Sequence, residues 1–147
     1  MKYTQAGLGR IFIIRLEDGE TVHTEIENFS REHSIRAATV MIVGGADKDS
    51  RLITGPARGR EYPISPMEHI LKGVHESAGV GTIFPDENGE PIIHLHMACG
   101  RESSTVTGCI RSGVKVWQVM EVVIFELTDC AGIRANDAEK GFKLLKI

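Results

Sequence analysis

The chain has 147 residues, 41% hydrophobic and 25% charged, with 17 basic against 20 acidic side chains and a formal net charge of −3. That length suits one domain, residues 1–147, with a buried core, and the acidic balance supplies no basic field to attract nucleic-acid phosphates. No apolar run reaches the roughly 20 residues of a membrane span, and the three cysteines and a start without an apolar secretory segment point to a reduced, cytoplasmic protein.

Gly9 to Glu17, G-R-I-F-I-I-R-L-E, is rich in β-formers and predicts a largely buried first strand. Asp18-Gly19 breaks it. Asp18 or Thr21 suits the cap of a following helix, on which Val22, Ile26, Phe29 and His33 share one face. Ile35 to Gly45 predicts a second buried strand ending in a glycine pair, and Asp49 to Gly55 a third. Gly55 to Pro66 is dense in turn formers and predicts an exposed loop. It carries Arg58-Gly59-Arg60, the tripeptide at the centre of an AT-hook, although Glu61 follows where that motif has proline. With Arg51, these arginines are the candidate DNA contacts.

Met67 to Pro85 predicts one long strand or two, and Asp86-Glu87-Asn88-Gly89 a turn. A four-residue loop there sets Gly81 opposite His94 and Gly79 opposite His96. The glycines then either leave room over the imidazoles or only relieve strand crowding. Pro91 to Gly100 predicts a strand, and Arg101 to Ser104 a hairpin loop before Thr105-Val106-Thr107. With a four-residue loop, Cys109 lies directly opposite His96, where Cβ atoms are roughly 5 Å apart. Gly113 to Leu127 is the most apolar strand region. Glu121 shares its parity with Trp117, Val119, Val123 and Phe125, and so needs a partner or a function. Thr128 to Lys140 predicts a polar loop with a short helix near Asp137-Ala138-Glu139, and Gly141 to Ile147 a closing strand. Together these elements predict an α+β domain with a mixed, mainly antiparallel sheet and one main helix near the N-terminus.

His94 and His96 flank Leu95, so on a strand they share a face. With a Cys109 thiolate they supply three zinc ligands and leave a fourth position for water or substrate, the pattern of catalytic zinc. The competing reading is two partly exposed strand histidines. His69, His75, Glu68 and Glu76 are reserve ligands. Cys99 has the opposite parity and predicts a buried thiol, while Cys130 falls in the loop. Glu121 and Glu68 are the candidate proton carriers if the metal is catalytic.

The ordered segments H-L-H-M-A-C-G, T-V-T-G-C-I and V-W-Q-V-M-E-V-V-I resemble the plants and prokaryotes conserved (PPC) domain. G-R-I-F-I-I-R-L, I-R-A-A-T-V-M-I-V-G-G, P-M-E-H-I-L-K-G-V-H-E and G-F-K-L-L-K-I extend the resemblance over nearly the whole chain. The family pattern is H-x-H and, thirteen residues later, a third histidine in a G-G-H-L-like segment. These positions map onto His94, His96 and Cys109, so cysteine stands where the family has histidine. E-V-V-I places Glu121 on the family's glutamate. The resemblance implies a compact α+β fold, a homotrimer and a divalent metal. It also implies an assembly or DNA-associated role with a small ligand unidentified, by analogy with plant members that join an AT-hook to this domain. Acetolactate decarboxylase is similar in architecture and holds zinc through H-x-H plus a later histidine. That similarity implies the alternative of a small zinc-dependent lyase or hydrolase acting on a polar acid or ester.

Overall fold

The computed structural model describes residues 1–147. In chain order the elements are β1 (Gly7–Glu17), α1 (Val22–Glu32), β2 (Ala38–Ala46), β3 (Arg51–Pro56), β4 (Pro66–Ile70) and β5 (His75–Pro85). There follow β6 (Pro91–Arg101), β7 (Ser104–Cys109), a single 3-10 turn (Ile110–Ser112), β8 (Val116–Thr128), β9 (Ile133–Asp137) and β10 (Phe142–Lys146). Eight strands form one sheet in the order β1-β8-β2-β5-β6-β7-β3-β4, and β9 and β10 form a separate hairpin.

With 58% of residues in strands and 10% in helix, the fold is dominated by its sheet more than an even α+β mix would be. The sheet is also antiparallel throughout, where a mixed one was expected. β1 and β2, joined through α1, run parallel to each other, but β8 lies between them and opposes both. The one parallel contact is an isolated bridge between Asp86 and Arg134. No helix is long and apolar enough to cross a membrane.

Period-2 alternation gives the sheet two unlike faces. Leu16, Val40, Ile42, Ile83, Leu95, Met97, Val122 and Ile124 point inward and are buried. Against them α1 lays Val22 and Ile26, with Phe29 partly buried beside them, as the helical spacing predicts. Thr21 occupies the N-cap position but its side chain makes no capping bond. Asp18, the other candidate cap, instead accepts the backbone N–H of Gln118 at 2.7 Å. The outer face carries Ile11, Ile13, Met41, Val43 and Val80, all exposed.

Two expectations about turns need correction. Between β5 and β6 the loop has five residues rather than four, because Pro85 pairs with Pro91. Asp86 fixes the extra residue: its Oδ1 accepts the backbone N–H groups of Asn88 and Glu90 at 2.9 and 3.1 Å. The register therefore moves by one, and Thr82 and Val80, not Gly81 and Gly79, stand opposite His94 and His96. The glycines pair with Leu95 and Met97 on the core face. A Cβ on Gly81 would lie 2.5 Å from the carbonyl oxygen of His94 and 2.6 Å from Leu95 Cβ, so close packing of β5 on β6 requires the glycine. The second correction concerns residues 128–140. The polar loop contains β9, which ends at Asp137, and Ala138 and Glu139 lie in the turn that closes the β9–β10 hairpin rather than in a helix. The pairing of Ile133 to Asp137 with β10 supplies what the short polar segment lacks in its own periodicity.

Gly81→Ala should lower stability by about 1–3 kcal/mol, because backbone rather than a flexible side chain must move. A urea titration reads this directly, and an unchanged midpoint would contradict the close-packing account.

Candidate metal centre

The site is built by the hairpin of β6 and β7. Its turn is shorter than expected, with Arg101 paired to Ser104 and only Glu102 and Ser103 outside the ladder. Glu102 takes a left-handed conformation, φ 54°, to make it. A two-residue turn and a four-residue loop centred on the same bond give the same register, so Cys109 is opposite His96. His94 and His96 project from the outer face and are exposed, while Cys109 is buried at the strand end. Candidate ligand atoms of all three lie within 4.8 Å of one another.

The two imidazoles meet through Nε2 at 3.1 Å, with their rings close to perpendicular at 82°. One ring must donate and the other accept, so a single proton occupies the space between two nitrogens. Tetrahedral zinc with bonds of about 2.0–2.3 Å needs ligand atoms about 3.3–3.6 Å apart. The nitrogen pair is near that spacing, and rotation of a side chain would close the remaining gap to sulfur. Two imidazoles and a thiolate are a donor set suited to zinc. His94 is held below the ordinary histidine range, first by burial and then by the positive charges of Arg134, His96 and Arg111. Each of these effects favours the neutral imidazole, the form that ligates a metal.

A cavity of about 270 Å³ opens over the three residues, bounded also by Ile53, Thr107 and Arg111. It adjoins a second of about 520 Å³ that shares His94, Cys109 and Arg111 and adds Glu27, Arg134 and side chains of β10. The reason for the opening is topological. β7 ends at Cys109, so β6 has no strand neighbour on that side before His96. The Ile93 N–H is taken instead by Glu27 Oε1 at 3.0 Å.

The other candidates lie elsewhere. Glu68 is two strands beyond Cys109, past Ile53, and pairs with Arg51 at 3.0 Å. Glu121 is exposed on β8, with β2 and β5 between it and β6. At about 4.8 Å per strand that is about 14 Å away. Neither borders the two cavities. Arg58 and Arg60 sit in an exposed turn. His69 is on β4, and His75 at the start of β5 bonds the Gly73 carbonyl through Nδ1 at 2.7 Å. Glu76 is exposed on β5 opposite Gly100. Cys99 lies on the core face, where burial pushes its thiol up to about 11. Cys130 is half-buried beyond β8. Sequence reasoning missed Arg111, Arg134 and Glu27. Arg111 had a signal, two residues after Cys109, whereas Arg134 is brought in only by the unrecognised β9.

Residues 3–128 match the family model of the Plants and Prokaryotes Conserved (PCC) domain. The chain belongs to this family. Over the whole chain the fold matches a metal-containing protein of Archaeoglobus fulgidus, at TM-score 0.86 and 23% identity with 100% of both chains covered. It matches a plant- and prokaryote-conserved protein of Pyrococcus horikoshii at TM-score 0.85 and 25% identity, covering 100% of this chain and 98% of that one. A Bacteroides thetaiotaomicron protein provisionally named as DNA-binding gives TM-score 0.78 and 14% identity, with 97% and 98% covered. The bifunctional protein GlmU of Synechococcus sp. (strain JA-3-3Ab) is 25% identical over 139 residues. That match takes in 94% of this chain but 20% of GlmU, so the PCC chain spans about a fifth of the length of this curated relative.

A thiol titrating near 11 is only ~0.1% thiolate at pH 8. Iodoacetamide should therefore alkylate Cys99 in the native protein about a hundred-fold more slowly than in urea, read by mass spectrometry of peptides. Equal rates would mean that Cys99 is not held in the core.

Proposed function

We propose that this PCC protein is a divalent-metal-binding module that carries zinc at His94, His96 and Cys109, works as a homotrimer and binds a small ligand beside the metal. The observation that carries the reading is the Nε2 pair at 3.1 Å facing the Cys109 thiol at the mouth of an open cavity. Zinc held there would supply Lewis-acid polarisation to an oxygen in its open position. The chain's own residues keep His94 neutral and keep the Cys109 sulfur away from bulk water. A reduced, cytoplasmic setting would preserve that thiol as a ligand. The name of the Archaeoglobus fulgidus protein supports the metal reading. The GlmU match, in which a similar stretch is one part of a larger protein, supports the module reading.

The trimer rests on the outer sheet face. Ile13, Val123, Met41, Val80, His96 and Cys109 follow one another as directly paired residues across six strands, so they share that face. Its apolar part is exposed, with Val80 at 64%, and a contiguous apolar face of this kind marks a protein contact. Family resemblance supplies the number three.

The second reading is a small zinc-dependent lyase or hydrolase acting on a polar acid or ester. Its support is the open cleft bordered by Arg111 and, in the adjoining space, by Glu27. Glu27, rather than Glu68 or Glu121, is the carboxylate that borders the cleft. For DNA association the support is two exposed guanidiniums, Arg58 and Arg60, next to Glu61. They would neutralise at most two phosphates, too few for strong salt-dependent affinity.

Purified protein should contain about one zinc per chain by elemental analysis, and His96→Ala should lose most of it. Equal, near-zero zinc in both would end the metal reading. Light scattering at micromolar concentration should give three chain masses, and Met41→Lys should give one with unchanged circular dichroism. A monomeric parent protein would contradict the trimer.

A further inference from the structure

We propose that the cleft beside the candidate metal centre is a binding site for a small carboxylate with an apolar tail, held at its acid end by Arg111 and Arg134. The proposal deepens the metal reading by naming a ligand class, but both guanidiniums stand there with or without a metal. Arg134 is the stronger witness. It is only 6% exposed, on β9. Its Nη2 donates to Thr82 Oγ1 at 2.8 Å and its Nε to the Ile92 carbonyl at 3.3 Å, while Nη1 has no protein acceptor. No carboxylate of the chain pairs with it. Burial accordingly pushes its guanidinium below the ordinary arginine range, with the Cys109 sulfur acting the other way. A buried guanidinium without a counter-charge is expensive unless an anion joins it.

Arg111 likewise has no ion-pair partner, and it borders both cavities at His94 and Cys109. Of the other charges in the larger cavity, Lys143 is neutralised and Glu27 keeps its negative charge. Lys143 pairs with Asp86 at 2.9 Å, and Glu27 accepts the Ile93 N–H. Two guanidiniums, that of Arg134 lying over the Phe84 ring, therefore face one free carboxylate, a surplus of one positive charge around a space of about 520 Å³, within the range of small-ligand sites. The walls decide between anions. Ile92, Phe142, Leu144 and Leu145 border the same space, so an apolar tail would be buried where inorganic phosphate would leave the walls wet. Arg134 and the β10 residues come from the C-terminal hairpin, beyond the residues 3–128 that match the family model.

Isovalerate is a suitable probe, with isovaleramide as its neutral counterpart and inorganic phosphate as the anion without a tail. Each is titrated into the full 15N-labelled chain, zinc-loaded and chelator-treated, with zinc content measured on the same samples. Isovalerate should bind at least about ten-fold more tightly than isovaleramide or phosphate, shifting amides of Leu144 and Leu145. Arg111→Gln, an exposed change that leaves the core intact, should weaken isovalerate about ten-fold, while Lys72→Gln should not. Acid-selective, Arg111-dependent binding in either sample upholds the proposal, even if no zinc is taken up. Equal binding of acid and amide, phosphate as tight as isovalerate, an unaffected Arg111→Gln, or no binding in both samples overturns it. Zinc uptake without any such binding leaves the metal reading standing alone.

Discussion

The antiparallel register of β6 and β7 is the constraint on which the site depends. It sets Cys109 directly opposite His96, on the face that His96 already shares with His94. A slip of one residue would turn Cys109 to the core face and bring Gly108 opposite His96. The two-residue turn at Glu102 and Ser103 holds the register. The same strand end at Cys109 frees the edge of β6, and the cleft opens there. Ligand convergence and access therefore have one cause, the length of β7.

That register also ties the site to the rest of the sheet. The row ending in His96 and Cys109 begins at Ile13 and passes through Val123, Met41 and Val80. Apolar residues at one end and metal-ligand types at the other occupy a single face, while α1 closes the opposite one. Packing on the core face fixes this arrangement. Gly79 and Gly81 let β5 approach Leu95 and Met97, which keeps the alternate residues, including both histidines, pointing outward.

Much of this was legible in the sequence. The H-x-H spacing gives a shared face by strand periodicity alone. The hairpin arithmetic gives Cys109 opposite His96 because loops of two and four residues around one centre share a register. The β5–β6 turn was misjudged for a local reason, since the Asp86 side chain stabilises a five-residue loop that spacing cannot distinguish from four. β9 was hidden because five residues of mixed polarity, I-R-A-N-D, carry no period of their own and become a strand only against β10. With β9 hidden, Arg134 was too. Long-range pairing brings it beside Thr82 and Phe84 of β5 and Ile92 of β6, two strands distant in sequence. Glu121 shows the converse: its parity was apparent but not the two strands between it and the histidines, since strand order is not written in local pattern.

The function of this strand pair turns on whether the imidazole pair and the thiolate hold one ion. X-ray absorption at the zinc edge of the purified protein tests this most directly. It should show nitrogen neighbours at about 2.0–2.1 Å and one sulfur at about 2.3 Å, with the sulfur shell absent in Cys109→Ser. Zinc surrounded only by nitrogen and oxygen, with a spectrum that Cys109→Ser leaves unchanged, would contradict it.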